Sequence, residues 1–283
     1  GEEKKFIVLL GQNETLEKAK PEIEKYRDPK NVKAAFDELS VFWNEYLSKI
    51  QVETPDAAFN TMVNIHNPRQ CYTTKQWSRY LSFYQLGYGA RGIGFRDSSQ
   101  DVLSVLASVP KEAKELIKKL ISMQKREGYA MHQFNPLTMI GSAGDSEEES
   151  GHRYYSDDHL WVILSALSYI KETGDDAFLK EEIPFYDKEK DGTTPVEKGT
   201  VLEHLKRAVE FTHKDRGAHG LPLLGFADWN DTVNLKGKAE SVFTADLYCK
   251  ALLEMIEVMD YLGDTVVADK YRAYHQEMSD VIN

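Results

Sequence analysis

The chain has 283 residues and carries 35 Lys and Arg against 46 Asp and Glu, a formal net charge of −11. At roughly 150 residues per domain it holds one large domain or two, with enough chain to bury a core without disulfides or a structural metal. An acidic chain with no basic run excludes nucleic acid and anionic membranes as partners, and no stretch reaches the roughly 20 apolar residues of a membrane span.

In chain order, Phe6–Leu10 predicts one short buried strand ended by Gly11. A lone strand makes no sheet, and the chain starts at Gly1 without Met, so it reads as a piece of a longer polypeptide. A charged helix is predicted near Glu14–Tyr26. A second begins at about Asn31, with Val32, Ala35, Phe36, Leu39, Phe42, Trp43, Tyr46, Leu47 and Ile50 at core-facing spacing. Pro55 can sit in the first turn of the next helix, running to about Ile65. Further helices are predicted at Trp77–Leu86, from Pro110 to just before Gly128, and at Asp157–Thr173, capped by Ser156 and closed by Gly174. Others follow at Val201–His213, Ser241–Leu262 and from Thr265 onward. No second strand is predicted, so the expected class is all-α, with antiparallel helical hairpins stacked or closed into a ring. The two cysteines, Cys71 and Cys249, form no CxxC pair and point to a reducing, cytoplasmic compartment.

Four segments carry candidate chemistry. Gly87-Tyr-Gly-Ala-Arg-Gly92 matches GxGxxG, but a helix is predicted before it rather than a strand, which argues against a dinucleotide cofactor. Arg91, Arg96, Asp97 and Asp101 lie within eleven residues of a glycine-bearing loop. An Arg beside an Asp can hold neighbouring sugar hydroxyls or can be an ordinary loop ion pair. Asp228-Trp229-Asn230-Asp231 places two carboxylates around an aromatic that can stack on a pyranose ring, the arrangement of a glycosidic acid; it is equally an Asx-rich turn pinned by Trp229. Asp157-Asp158-His159 reads as an acidic helix start favoured by the helix dipole, and His132 as a loop histidine. No histidine pair has metal-ligand spacing, so no metal and no cofactor are expected.

Taken together, Trp77-Ser78-Arg79, Arg91-Gly-Ile-Gly-Phe-Arg-Asp97, His132-Gln-Phe-Asn-Pro-Leu-Thr138, Asp157-Asp-His-Leu-Trp161, Arg216-Gly-Ala-His-Gly-Leu-Pro222 and Ala227-Asp-Trp-Asn-Asp231 resemble the cellobiose phosphorylase family of inverting glycoside phosphorylases, over about residues 55–262. The resemblance implies an (α/α)6 toroid, here a partial barrel over 54–283. A helical linker over 13–53 and one strand left from an N-terminal β-sandwich, 1–12, would precede it. It implies Asp231 as general acid, Trp229, Arg91, Arg96 and Asp97 as contacts to the donor sugar, and Arg79 as a phosphate ligand, although the stretch between Arg79 and Arg91 is one residue longer than the family's. The implied partners are a β-linked disaccharide or oligosaccharide and inorganic phosphate as co-substrate, with a homodimer as the assembly. The implied reaction is phosphorolysis of a cellobiose-type disaccharide. Chitobiose, laminaribiose, cellodextrin and β-1,2-glucan phosphorylases are the alternatives, with the phosphorylase-like module of a cyclic β-1,2-glucan synthase. A noncatalytic glycan-binding toroid and an inverting hydrolase are the alternatives from other classes. A barrel that stops at residue 283 is expected to be inactive by itself.

Overall fold

The computed structural model describes residues 1–4, 6–81, 92–147, 154–235 and 237–283, which form two compact units, Gly1–Ile65 and His66–Asn283. In the first unit α1 spans Leu16–Tyr26 and α2 spans Pro29–Leu47. Thr15 caps α1 by accepting from the Lys18 N–H, and Asp28 caps α2 with Pro29 in the first turn. A short α3, Ala57–Thr61, is capped by Asp56, so Pro55 lies just outside the helix rather than in it.

Two sequence expectations fail in this unit. Phe6–Leu10 forms no strand, and its apolar side chains are exposed, Leu10 almost completely. A strand needs a neighbour to take its backbone N–H and C=O groups, and no described segment pairs with it. The apolar stripe of α2 is likewise open: Tyr46 is the buried residue of that helix, whereas Phe36 and Leu39 face solvent.

The second unit begins with α4, Asn67–Thr73, and α5, Arg79–Leu81, joined through a wider π turn at Thr74–Ser78. The helix expected at Trp77–Leu86 lies outside the described residues from position 82. Next come β1 (Ile93–Gly94), α6 (Phe95–Leu103), α7 (Pro110–Ile121), β2 (Gln133–Phe134) and β3 (Gly141–Ser142). The three strands form an antiparallel sheet in that order, with Ile93 opposite Phe134 and Gln133 opposite Ser142. Then follow α8 (Asp158–Thr173), an antiparallel pair β4 (Glu182–Pro184) and β5 (Lys198–Thr200), α9 (Val201–Lys214), α10 (Val242–Leu262) and α11 (Thr265–Ile282). Strands of two or three residues are too short to imprint a period-two pattern, which is why the sequence did not announce them.

The fold is mostly helical, as expected, with α8 at its centre. This helix is apolar nearly all round, and Leu160, Val162, Ile163, Ala166, Leu167 and Tyr169 are all buried. It packs against α6, α7, α9 and α10, while α10 lies along α11. Gly174 and Gly263 end α8 and α10 in the left-handed conformation, with φ of 71° and 76°. No helix among the described residues is long and apolar enough to cross a membrane.

Candidate active site

Three segments bring the functional side chains together: the first turn of α6, the start of α8, and the loop from Gly225 to Leu235. The backbone N–H of Phe95 donates to the His132 carbonyl at 2.8 Å, so the small sheet fixes where α6 begins. Gly225 has φ 65°, and a Cβ there would lie 2.6 Å from the Tyr154 carbonyl oxygen. Glycine therefore lets the loop close against the segment before α8, where the Phe226 and Ser156 N–H groups donate to the Tyr154 and Ala227 carbonyls at 3.0 Å.

Arg96 is the hub. It is only 6% exposed, and all three guanidinium nitrogens are engaged. Nε and Nη2 donate to the two oxygens of Asp157 at 2.7 and 2.8 Å, a bidentate pair. Nη1 donates to Asp231 Oδ1 at 2.8 Å and to the Trp229 carbonyl at 3.3 Å, and Nη2 also donates to the Asp228 carbonyl at 2.8 Å. Burial works against the charge on Arg96, but the surrounding Asp158 and Asp157 carboxylates outweigh it and hold the guanidinium above its ordinary value. Burial pushes the Asp157 carboxyl up, opposed by Arg96 and reinforced by Asp158; the Trp161 indole N–H also donates to it, at 2.9 Å.

The loop separates its two carboxylates by role. Asp228 is consumed by the turn: it accepts from the Asn230 N–H at 2.9 Å and from the Ser241 hydroxyl at 2.6 Å. Asp231 keeps one oxygen on Arg96, and its side chain is 55% exposed. Trp229 is equally exposed, with its ring 6.3 Å from that of Phe243. The Asx turn and the acid-beside-aromatic arrangement thus coexist in the same five residues.

A second arginine cluster joins Arg79 of α5 to Asp97 and Asp101 of α6. Arg79 donates through Nε to Asp101 Oδ2 at 2.5 Å and through Nη2 to Asp101 Oδ1 at 3.3 Å, while its Nη1 lies 3.4 Å from Asp97. Burial opposes the charge on Arg79, but the two aspartates raise it, and burial raises the Asp101 carboxyl against the pull of Arg79. Of the sequence candidates, the structure therefore joins Arg96, Asp231 and the Trp229 backbone in one cluster and Arg79 with Asp97 in another. Arg91 lies outside the described residues.

Asp157, Asp158 and Ser156 depart from the helix-cap expectation. Asp157 and Asp158 are completely buried, and the Asp157 side chain accepts no capping bond from α8. Ser156 does not cap that helix either, because its hydroxyl pairs with Thr244 at 2.8 Å. His132 Nδ1 lies 2.9 Å from Asp158 Oδ2, and its ring stacks on Tyr155 with centroids 3.6 Å apart. Adjacent acids before an apolar helix look like a cap; only their complete burial, which no spacing encodes, reveals them as partners of a distant Arg and His. Among the described residues, no group of three His, Cys, Asp or Glu side chains could hold a metal ion.

The arrangement is an exposed carboxyl held by a buried arginine beside an exposed tryptophan, suited to proton transfer next to a stacked sugar ring. Residues 42–283 match the family described as the glycosyl hydrolase 94 superfamily, catalytic domain. The chain is 33% identical to the N,N'-diacetylchitobiose phosphorylase of Vibrio furnissii over 290 aligned positions, covering 96% of this chain and 35% of that protein. It is 32% identical to the solabiose phosphorylase of Paenibacillus borealis, covering 91% of this chain and 30% of the relative. It is 31% identical to the cyclic beta-(1,2)-glucan synthase NdvB of Rhizobium meliloti (strain 1021), covering 84% of this chain and 8% of the relative. The chain thus spans about a third of the length of the phosphorylases it matches. The resemblance read from the motifs is borne out at the level of the family: the chain belongs to the glycosyl hydrolase 94 superfamily, through its catalytic domain.

Proposed function

We propose that this chain supplies the general acid and part of the donor-sugar site of an inverting phosphorylase that cleaves a β-linked disaccharide of the cellobiose type. The observation that carries the reading is the Asp231 carboxyl, exposed on one side and held at 2.8 Å by buried Arg96 on the other, beside exposed Trp229. Asp231 donates its proton to the glycosidic oxygen as the bond from C1 to that oxygen breaks. An oxygen of inorganic phosphate bonds to C1 from the opposite face. The β-linkage becomes α-glucose 1-phosphate, and the second sugar leaves carrying the proton. Phosphate is already an anionic nucleophile, so no second carboxylate is needed to activate water.

Trp229 forms the floor for the donor ring, and Asp97 with Arg91 takes its hydroxyls. Arg96, which the resemblance implies as a donor-sugar contact, has all three guanidinium nitrogens on protein acceptors and acts instead through the carboxylates it holds; Arg79, steadied by Asp101, serves the phosphate. On this reading residues 13–53 form a helical linker and residues 54–283 part of an (α/α)6 barrel. The full-length protein is proposed to be a cytoplasmic homodimer that needs no cofactor besides its co-substrate. An N-acetylglucosaminyl donor is the second reading, favoured by 33% identity to a chitobiose phosphorylase over 96% of this chain. The test is a panel of β-linked disaccharides, cellobiose and N,N'-diacetylchitobiose among them, incubated with full-length enzyme and phosphate. Sugar 1-phosphate from one of them is expected. Phosphate-independent release of free sugar would mark a hydrolase instead, and no product from any would overturn the reading.

A further inference from the structure

Three carboxylates converge on one guanidinium. Asp157 takes Nε and Nη2 of Arg96 and Asp231 takes Nη1, whereas Asp158 faces Nε at 3.8 Å, beyond hydrogen-bond reach. Asp158 is completely buried, and its Oδ1 finds no hydrogen-bond partner among the described residues. A buried carboxylate with an unmet oxygen is costly and draws on any nearby cation, so Asp157 and Asp158 compete for the same edge of Arg96. His132 holds Asp158 back, with Nδ1 2.9 Å from its other oxygen. The imidazole itself is fixed. It lies on Tyr155 with ring planes 12° apart, and a Cβ at Gly144 would come within 2.8 Å of His132 Cδ2.

We infer that His132 and Asp158 are positioning residues for Asp231: the imidazolium neutralises Asp158 and so leaves Arg96 to hold the acid in place. This rests on the reading of Asp231 as the general acid.

The groups facing His132 are Asp158 on α8, Arg96 on α6, Asp231 on the loop and the Tyr155 ring, with Asp145 acting on Tyr155 in turn. Burial and Arg96 disfavour the imidazolium, but Asp158 and Asp231 outweigh them, so its proton is kept above the ordinary histidine value. The charge is present at lower pH and lost as pH rises through that raised value. Asp158 then has no cation of its own and pulls Arg96 from Asp231, so activity falls on the alkaline side.

The test uses the full-length enzyme and compares His132→Gln, Asp158→Asn, the double variant and Asp231→Asn, with melting curves for each. His132→Gln is expected to lose kcat on the order of 10²-fold, as a displaced catalytic group does, with little change in KM for the disaccharide. Adding Asp158→Asn should recover most of that loss, because the uncompensated carboxylate is gone. Asp158→Asn alone should abolish that alkaline fall of kcat, because loss of the His132 proton then leaves no uncompensated carboxylate to draw on Arg96. Unchanged kcat in His132→Gln, or a loss that the double variant does not recover, would overturn the inference and leave His132 a packing residue. If His132→Gln fails to fold, an alkaline fall that persists in Asp158→Asn overturns it equally. Near-normal turnover by Asp231→Asn would instead sink the proposed function.

Discussion

Arg96 is where folding and chemistry meet in a single residue. Its guanidinium offers fixed N–H groups in a plane, and the structure uses them on two carboxylates and two backbone carbonyls. Lysine keeps the charge but has no fork, so Arg96→Lys should fold yet lose the simultaneous grip on Asp157 and Asp231. Its kcat for phosphorolysis is expected to fall by more than tenfold. Arg96→Ala, which strands the buried Asp157, should cost about 3–5 kcal/mol in a melting experiment. Equal melting temperatures for Arg96→Ala and the parent would contradict the hub assignment. Arg96, Asp231 and Trp229 were legible in the sequence because they stand in compact motifs. Their partners Asp157 and Asp158 are less legible, since an acidic pair before an apolar helix also satisfies the simpler demand of a helix dipole, and a loop histidine such as His132 carries no signature of its partner.

Among the elements, the Gly225–Leu235 loop carries Asp231 and Trp229, and its geometry depends on Gly225. An alanine there meets both a φ of 65° and the Tyr154 carbonyl at 2.6 Å. Gly225→Ala should therefore displace the loop, costing about 1 kcal/mol or more from the backbone conformation alone. A fall in kcat is expected to accompany the lower melting temperature. Full activity with an unchanged melting temperature would show that the loop tolerates the shift. Helices α8 and α10 were readable end to end, because long apolar periodicity and stop glycines at 174 and 263 are local signals. The Phe6–Leu10 segment was not, because an apolar run shows only that a segment can be buried, not what it meets. The two-residue strands of the small sheet and the three-residue strands of the β4–β5 pair escaped for the opposite reason, being set by tertiary pairing rather than by pattern.

Over the whole molecule, burial is uneven. Among the described residues, the hydrophobic core runs through the second unit, from Ile93 to Met278, whereas Tyr46 is the one apolar side chain of the first unit that is buried. Hydrogen exchange should therefore be slowest in α8 and α10 and fast in α1 and α2, since protection follows buried contacts. Comparable protection of α1 and α8 would contradict that ordering. The net charge of −11 fits the proposed ligands, a neutral sugar and a phosphate met by local arginines rather than by the overall field. The most direct measurement is the yield and anomeric form of sugar 1-phosphate from full-length enzyme and its Asp231→Asn variant, on the same disaccharide in phosphate buffer. The parent should give the α-anomer, and the variant should be slower by roughly 10²–10⁴-fold, the contribution of a positioned acid. A β-anomer product, or near-parental phosphorolysis by Asp231→Asn, would contradict the account.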